Sequence, residues 1–131
     1  MAEKKFNTTL AENRKARHDY TVLETIECGM VLSGTEVKSA RHGEVSLAGA
    51  YGAVLGDELW LVGADIAAYR FGNRFNHDMR QPRQLLLHKR EILKLSQWLG
   101  SKGGTIVPLK MYLKQVVALF AAIINVFTIR L

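Results

Sequence analysis

The side chains best suited to catalysis or metal binding are four histidines, His18, His42, His77 and His88, and a single cysteine, Cys28. No histidine pair has the close spacing of a zinc site, and the lone cysteine supplies no second sulfur. No metal or cofactor is expected. His18–Asp19 and His77–Asp78 invite an acid–base reading. The first pair falls in a run that reads as a strand, where neighbouring side chains point to opposite faces and do not act together. There is no Gly-x-Ser-x-Gly, no phosphate-binding loop and no paired acidic motif. An enzyme of this composition would be a nuclease using His77 or His88; a binding protein fits better. Between residues 70 and 83, Arg70, Arg74, Arg80 and Arg83 are interleaved with Phe71, Phe75 and His77. Arginines alternating with aromatics can neutralise phosphates and stack on bases. The competing reading tucks at least one phenylalanine against the fold.

The stretch that must position these groups is Glu27 to Arg41, ECGMVLSGTEVKSAR. Tyr20, Val22, Ile26, Cys28, Met30 and Leu32 fall on alternate positions, with only Glu24 breaking the set, which predicts a half-buried strand from about Asp19 to Leu32. Glu27 then faces water with Thr21 and Thr25, and Cys28 is a buried structural thiol. Ser33 and Glu36 form a capping box that starts a helix over Thr35–Arg41, with Gly43 at the left-handed cap position. Lys38 and Arg41 share one face of that helix.

The rest of the chain supplies a curved sheet and a second helix. Residues 1–17 read as a basic flexible arm that settles near Asn13. Residues 18–115 form one domain, and 116–131 an apolar terminal segment. Gly56–Asp57 lies between two apolar runs, so a hairpin turn is predicted there. Gly49, Gly52 and Gly63 signal bulges or close backbone approach in a strongly curved sheet. Ile92, Leu95 and Leu99 fall on one stripe of a helix that starts at Lys89 and Arg90 and stops at Gly100. A basic start opposes the helix dipole, which suits an anionic partner. Thr105 to Lys114 has a period of two, with Pro108 marking an edge or a bulge. The run VVALFAAIINVFTIRL is too short to span a membrane as a helix, and reads as core strand or core helix. The fold class is mainly β: an oligonucleotide-binding-type barrel, closed or partly open, with two or three short helices.

Lys and Arg number 18 against 12 Asp and Glu, a net charge of +6. That balance suits nucleic acid. The N-terminal MAEKKFNTTLAENRK contains no apolar signal core, and the single cysteine fits a reducing compartment, so a cytoplasmic location is expected.

Five segments in order resemble one family, small protein B, the SsrA-binding protein of bacterial trans-translation. They are NRKARHDY at Asn13–Tyr20, GTEVKSAR at Gly34–Arg41, WLVGADI at Trp60–Ile66, GNRFNHD at Gly72–Asp78 and LLLHKREI at Leu85–Ile92. The resemblance covers roughly residues 10 to 114. It implies binding to the tRNA-like domain of transfer-messenger RNA and entry of that complex into stalled ribosomes, with no catalysis, no DNA or membrane partner and a monomeric chain. Carried over by position, the RNA-facing residues are Asn13, Glu27, Lys38, Arg41, Leu86, His88 and Lys89. The matched segments and the basic stretches beside them add Lys15, Arg17, His18, Arg74, Asn76, Arg83 and Arg90. Glu36 also matches, and is assigned to capping.

The chain departs from the family at Gln84, where a basic residue is usual, and at Ala40, where a larger aliphatic is common. The larger departure comes after Lys114: the family continues with another barrel strand and a basic tail lying in the ribosome's message channel. Neither is recognisable in Val116–Leu131, whose only charged side chain is Arg130. The expectation is a chain that binds the RNA, does not support tagging, and is less soluble than its charge suggests because the barrel edge after Lys114 is left open. The alternative is a generic single-strand-binding barrel.

Overall fold

The computed structural model describes residues 7–19, 21–72, 76–102, 105–116 and 119–130. Its elements are β1 (Asn7–Glu12), α1 (Arg14–Asp19), β2 (Thr21–Met30), α2 (Gly34–Arg41), β3 (Val45–Ser46), β4 (Tyr51–Leu55), β5 (Glu58–Val62), β6 (Asp65–Ile66), β7 (Arg83–Leu86), α3 (Lys89–Lys102), β8 (Thr105–Val116) and β9 (Leu119–Arg130). The main sheet runs β1-β8-β4-β5-β7-β2-β9, and β9 pairs again with β8, so the hydrogen-bonded order closes on itself. This is the mainly β, oligonucleotide-binding-type barrel that the sequence predicts. β3 and β6 form a separate two-stranded ladder.

The local reasons are visible element by element. In β2, Cys28 and Met30 are buried while Thr25 and Glu27 are exposed, as the alternation requires. Gly56, with φ 65°, opens the β4–β5 hairpin, a conformation that costs a residue with a Cβ. Gly52 is needed for a different reason. It pairs with Ile106 where β4 crosses β8, and a Cβ there would stand 2.7 Å from Ile106 Cγ2. Gly49 and Gly63 lie outside the strands in positive-φ turns. Leu59, Leu61, Ile66, Leu85, Ile106 and Met111 are fully buried, and Ile92 and Leu95 of α3 join them. The other face of β8 is covered too: Val107 and Leu109 pack with Ala16 of α1. The register of β8 against β9 shifts between Pro108 and Lys110, the irregularity that the proline signals.

Three expectations are corrected. Residues 7–17 are not an arm: β1 pairs with β8 from Asn7↔Lys114 to Glu12↔Lys110, and α1 comes next. Residues 1–6 lie outside the described residues. The first strand starts at Thr21, and His18 and Asp19 end α1 instead. The cause is Asn13, whose Oδ1 accepts from the Ala16 N–H at 3.2 Å and so caps that helix. α3 runs on past Gly100 to Lys102.

The last segment is a barrel strand. β9 pairs with β8 from Thr105↔Ile129 to Val116↔Leu119 and with β2 from Thr21↔Arg130 to Met30↔Ala122. A near-continuous apolar run carries no period that separates strand from helix. What decides it is pairing on two sides: β8 and β2 each offer a row of backbone groups that β9 bonds along its length. With both its edges paired, β9 removes the open edge on which the expectation of poor solubility rested.

Candidate nucleic-acid interface

A groove of about 400 Å³ lies where β2, β7 and the start of α3 meet, lined by Glu27, Leu86, Leu87, His88 and Glu91. The pairing Gly29↔Leu86 sets β2 and β7 side by side there. Glu27 stands on the wet face of β2, and the Tyr112 hydroxyl of β8 donates to its Oε2. Leu86 is 52% exposed at the end of β7. His88 stands at the N-terminus of α3, where its backbone N–H donates to Glu91 Oε1 at 3.4 Å, the reciprocal half of a capping box. Glu91 thus puts an acid in the first turn and offsets the basic start of that helix. Lys89 and Arg90 are exposed on the same turn, and Lys89 Nζ stands 3.5 Å from Asp57 Oδ2. The groove offers an acceptor, an imidazole, an apolar shelf and adjacent cations, a set that can take a base edge or 2′-hydroxyl beside a phosphate. Cys28 on the opposite face of β2 is no nucleophile: burial, then the Glu91 and Glu27 carboxylates, push its thiol up to about 12.

Lys38 and Arg41 are also exposed, on the last turn of α2. The capping box forms as expected: Ser33 N–H donates to Glu36 Oε1 at 2.8 Å, and Glu36 N–H donates to Ser33 Oγ at 3.4 Å. The second carboxylate oxygen of Glu36 holds something the sequence did not reveal. Arg83 Nε donates to Glu36 Oε2 at 2.6 Å, with both side chains almost fully buried. The rest of that guanidinium donates to the carbonyls of Ala64, Asp78 and Met79, and Gln81 Nε2 donates to the same Glu36 oxygen. Burial alone would raise the Glu36 carboxyl, but the Ser33 N–H, Arg83 and Gln81 outweigh it and hold it below the ordinary carboxylate range. Arg83 is therefore spent inside the protein, and its assignment to the RNA-facing set is corrected. No sequence spacing announces such a pair.

Asn13 is corrected likewise. It is buried, and its Nδ2 donates to Pro108 O at 3.0 Å and Leu47 O at 3.4 Å. Asn76 is half-buried and clamps its own loop, donating to Tyr69 O at 2.7 Å and accepting from Tyr69 N–H at 3.1 Å. His77 spends both ring nitrogens, Nε2 donating to Ile66 O and Nδ1 meeting Thr35 Oγ1, each at 2.9 Å. That removes the best-placed base of a nuclease reading. Lys15 is exposed beside a separate cleft of about 340 Å³ lined also by Tyr51 and Thr105. His18 is exposed at the end of α1. The Arg17 side chain and Arg74 lie outside the described residues. Leu87 and Glu91 of the groove, and Tyr112 bonded to Glu27, are the residues that sequence reasoning missed; only the Glu91 spacing from His88 carried a signal.

The family model described as SmpB protein matches residues 10–124. SsrA-binding proteins of Staphylococcus aureus, strains Newman and N315, are each 56% identical over 114 residues, covering 87% of this chain and 74% of theirs. A solved structure titled "tmRNA-SmpB: a journey to the center of the bacterial ribosome" matches with a TM-score of 0.74 and 43% identity, over 92% of this chain and 82% of that one. The match to residue 124 carries the resemblance beyond Lys114 and into β9.

Proposed function

This chain belongs to the SmpB family, and we infer on that footing that it binds transfer-messenger RNA and delivers it to stalled ribosomes in trans-translation. The observation that carries the reading is the convergence of Glu27 from one sequence segment and Leu86 and His88 from another on one open groove beside Lys89 and Arg90. The role is recognition, not catalysis. His77 is held by hydrogen bonds on both ring nitrogens, and His88 stands in an open groove with an apolar shelf and adjacent cations. Among the described residues no helix is long and apolar enough to cross a membrane, and we place the protein in the cytoplasm with the ribosome, acting as a monomer.

Sequencing the RNA that co-purifies with the chain from a bacterial lysate tests this. Enrichment of transfer-messenger RNA is expected; a mixed population of unstructured RNA would favour the generic single-strand-binding barrel instead. Delivery is separable from binding. After Lys114 the only charged side chain is Arg130, so the basic tail that the family resemblance implies has no counterpart in these residues. Residues 119–130 are therefore expected to serve RNA binding as part of the barrel and not as contacts to the ribosome.

A further inference from the structure

Phe71 is 77% exposed, the largest exposure among the large hydrophobic side chains of the described residues. A single exposed phenylalanine needs no explanation, but this one does not stand alone. Its ring meets Tyr69 edge-on at 5.7 Å, and Tyr69 in turn stacks with His42 at 6.2 Å and 17°. Lys38 Nζ lies 5.7 Å from the centre of the Tyr69 ring. Arg70, exposed, stands 3.6 Å from Glu44. His42, Glu44, Tyr69, Arg70 and Phe71 line a small cleft of about 150 Å³ that shares no residue with the groove at Glu27.

The backbone under this cluster is fixed. Tyr69 is clamped through both its N–H and its C=O by Asn76, Ala67 N–H donates to Glu44 O at 3.0 Å, and Ser39 Oγ donates to Ala67 O at 2.5 Å. Aromatic rings presented on a held backbone, with two cations beside them, form a stacking platform with little left to order on binding. We propose that Phe71, Tyr69 and His42, with Lys38 and Arg70, form a second RNA subsite that takes one unpaired nucleotide, its base stacked on the exposed aromatic rings and its phosphate against the cations. Glu44 supplies an acceptor for an exocyclic amine or a 2′-hydroxyl. The assignment rests on the RNA-binding reading and adds a place for a splayed nucleotide that the groove does not provide. Such stacking tolerates any base, because every base offers a π-face.

The test compares an unpaired oligoribonucleotide carrying 2-aminopurine with a blunt RNA duplex. Wild type should quench the probe, and Phe71→Ala should lose the quenching and weaken binding of the unpaired strand roughly tenfold. Duplex binding should stay unchanged, and Phe71→Tyr should restore both readouts. Equal affinity of wild type and Phe71→Ala for the unpaired strand, in a protein whose RNA binding still falls with Glu27→Ala, would overturn the subsite alone. Wild type that binds no RNA overturns the subsite together with the function on which it rests. A photoreactive phenylalanine analogue at position 71, irradiated with transfer-messenger RNA and ribosomes, separates the sources: a crosslink to either RNA supports the subsite and identifies its donor. A crosslink to protein alone shows a protein-docking patch and overturns the proposal.

Discussion

Two glutamates only nine positions apart, Glu27 and Glu36, divide recognition from folding. Glu27 is exposed and bonded to Tyr112, so Glu27→Ala should weaken RNA binding while thermal stability stays close to wild type. His88→Ala should behave alike. Exposed substitutions of this kind usually change stability by less than about 0.5 kcal/mol, and a melting point lowered as far as that of Glu36→Ala would refute the assignment. The capping box alone sets the loss for Glu36→Ala near 1 kcal/mol. The buried pair raises it: removing Glu36 leaves the Arg83 guanidinium buried without its carboxylate, a loss on the order of 3–5 kcal/mol. Urea unfolding measures the difference. The same pair sets an acid limb. Glu36 is held below its unfolded range, so it stabilises the fold above the ordinary carboxylate pKa, and that contribution fades as pH falls through its lowered folded value. Glu36→Gln should flatten the fall in stability between neutral and acid pH; an unchanged slope would show that other groups carry it.

At the level of elements, the β4–β8 crossing depends on a missing side chain. A Cβ at Gly52 would stand 2.7 Å from Ile106 Cγ2 and 3.0 Å from Ile106 Cβ. Overpacking of a filled core typically costs about 1–3 kcal/mol, so Gly52→Val should lower the denaturation midpoint, and Ile106→Ala placed with it should recover part of the loss. A Gly52→Val chain as stable as wild type would mean that the strands can separate there without cost. The same elements explain what could be read in advance. β2, the α2 capping box and the β4–β5 turn were legible because each is decided by residues within a few positions, as with Ser33 and Glu36. β1, α1 and β9 were not. β1 and β9 take their conformation from β8, which lies far from β1 and pairs with β9 along its whole length, and α1 depends on a single capping asparagine inside a basic stretch. The groove obeyed the same rule. The exposure of Glu27 follows from the local alternation of β2, and Leu86 and His88 from one short segment, whereas the burial of Arg83 and Asn13 comes from contacts with partners 47 and 95 positions away.

For the whole molecule, a net charge of +6 and exposed Lys15, Lys38, Arg41, Lys89 and Arg90 predict phosphate contacts, each of which releases counterions. RNA affinity should fall with salt with a log–log slope several units negative, and a flat response would refute those contacts. The other end of the chain is tested through its last strand. β9 fills the place between β8 and β2, so the barrel that holds the groove is complete, and binding of the tRNA-like domain should be intact. Beyond residue 124, where the family match ends, the chain continues as NVFTIRL, of which all but the last residue belongs to β9. Backbone groups paired on both sides are not available to lie along ribosomal RNA, and the segment has one cation to offer. Breaking those ladders with Phe127→Pro should therefore lower the melting point and weaken binding of the tRNA-like domain together. A Phe127→Pro chain that melts lower yet binds the RNA like wild type would show that β9 does not support the groove.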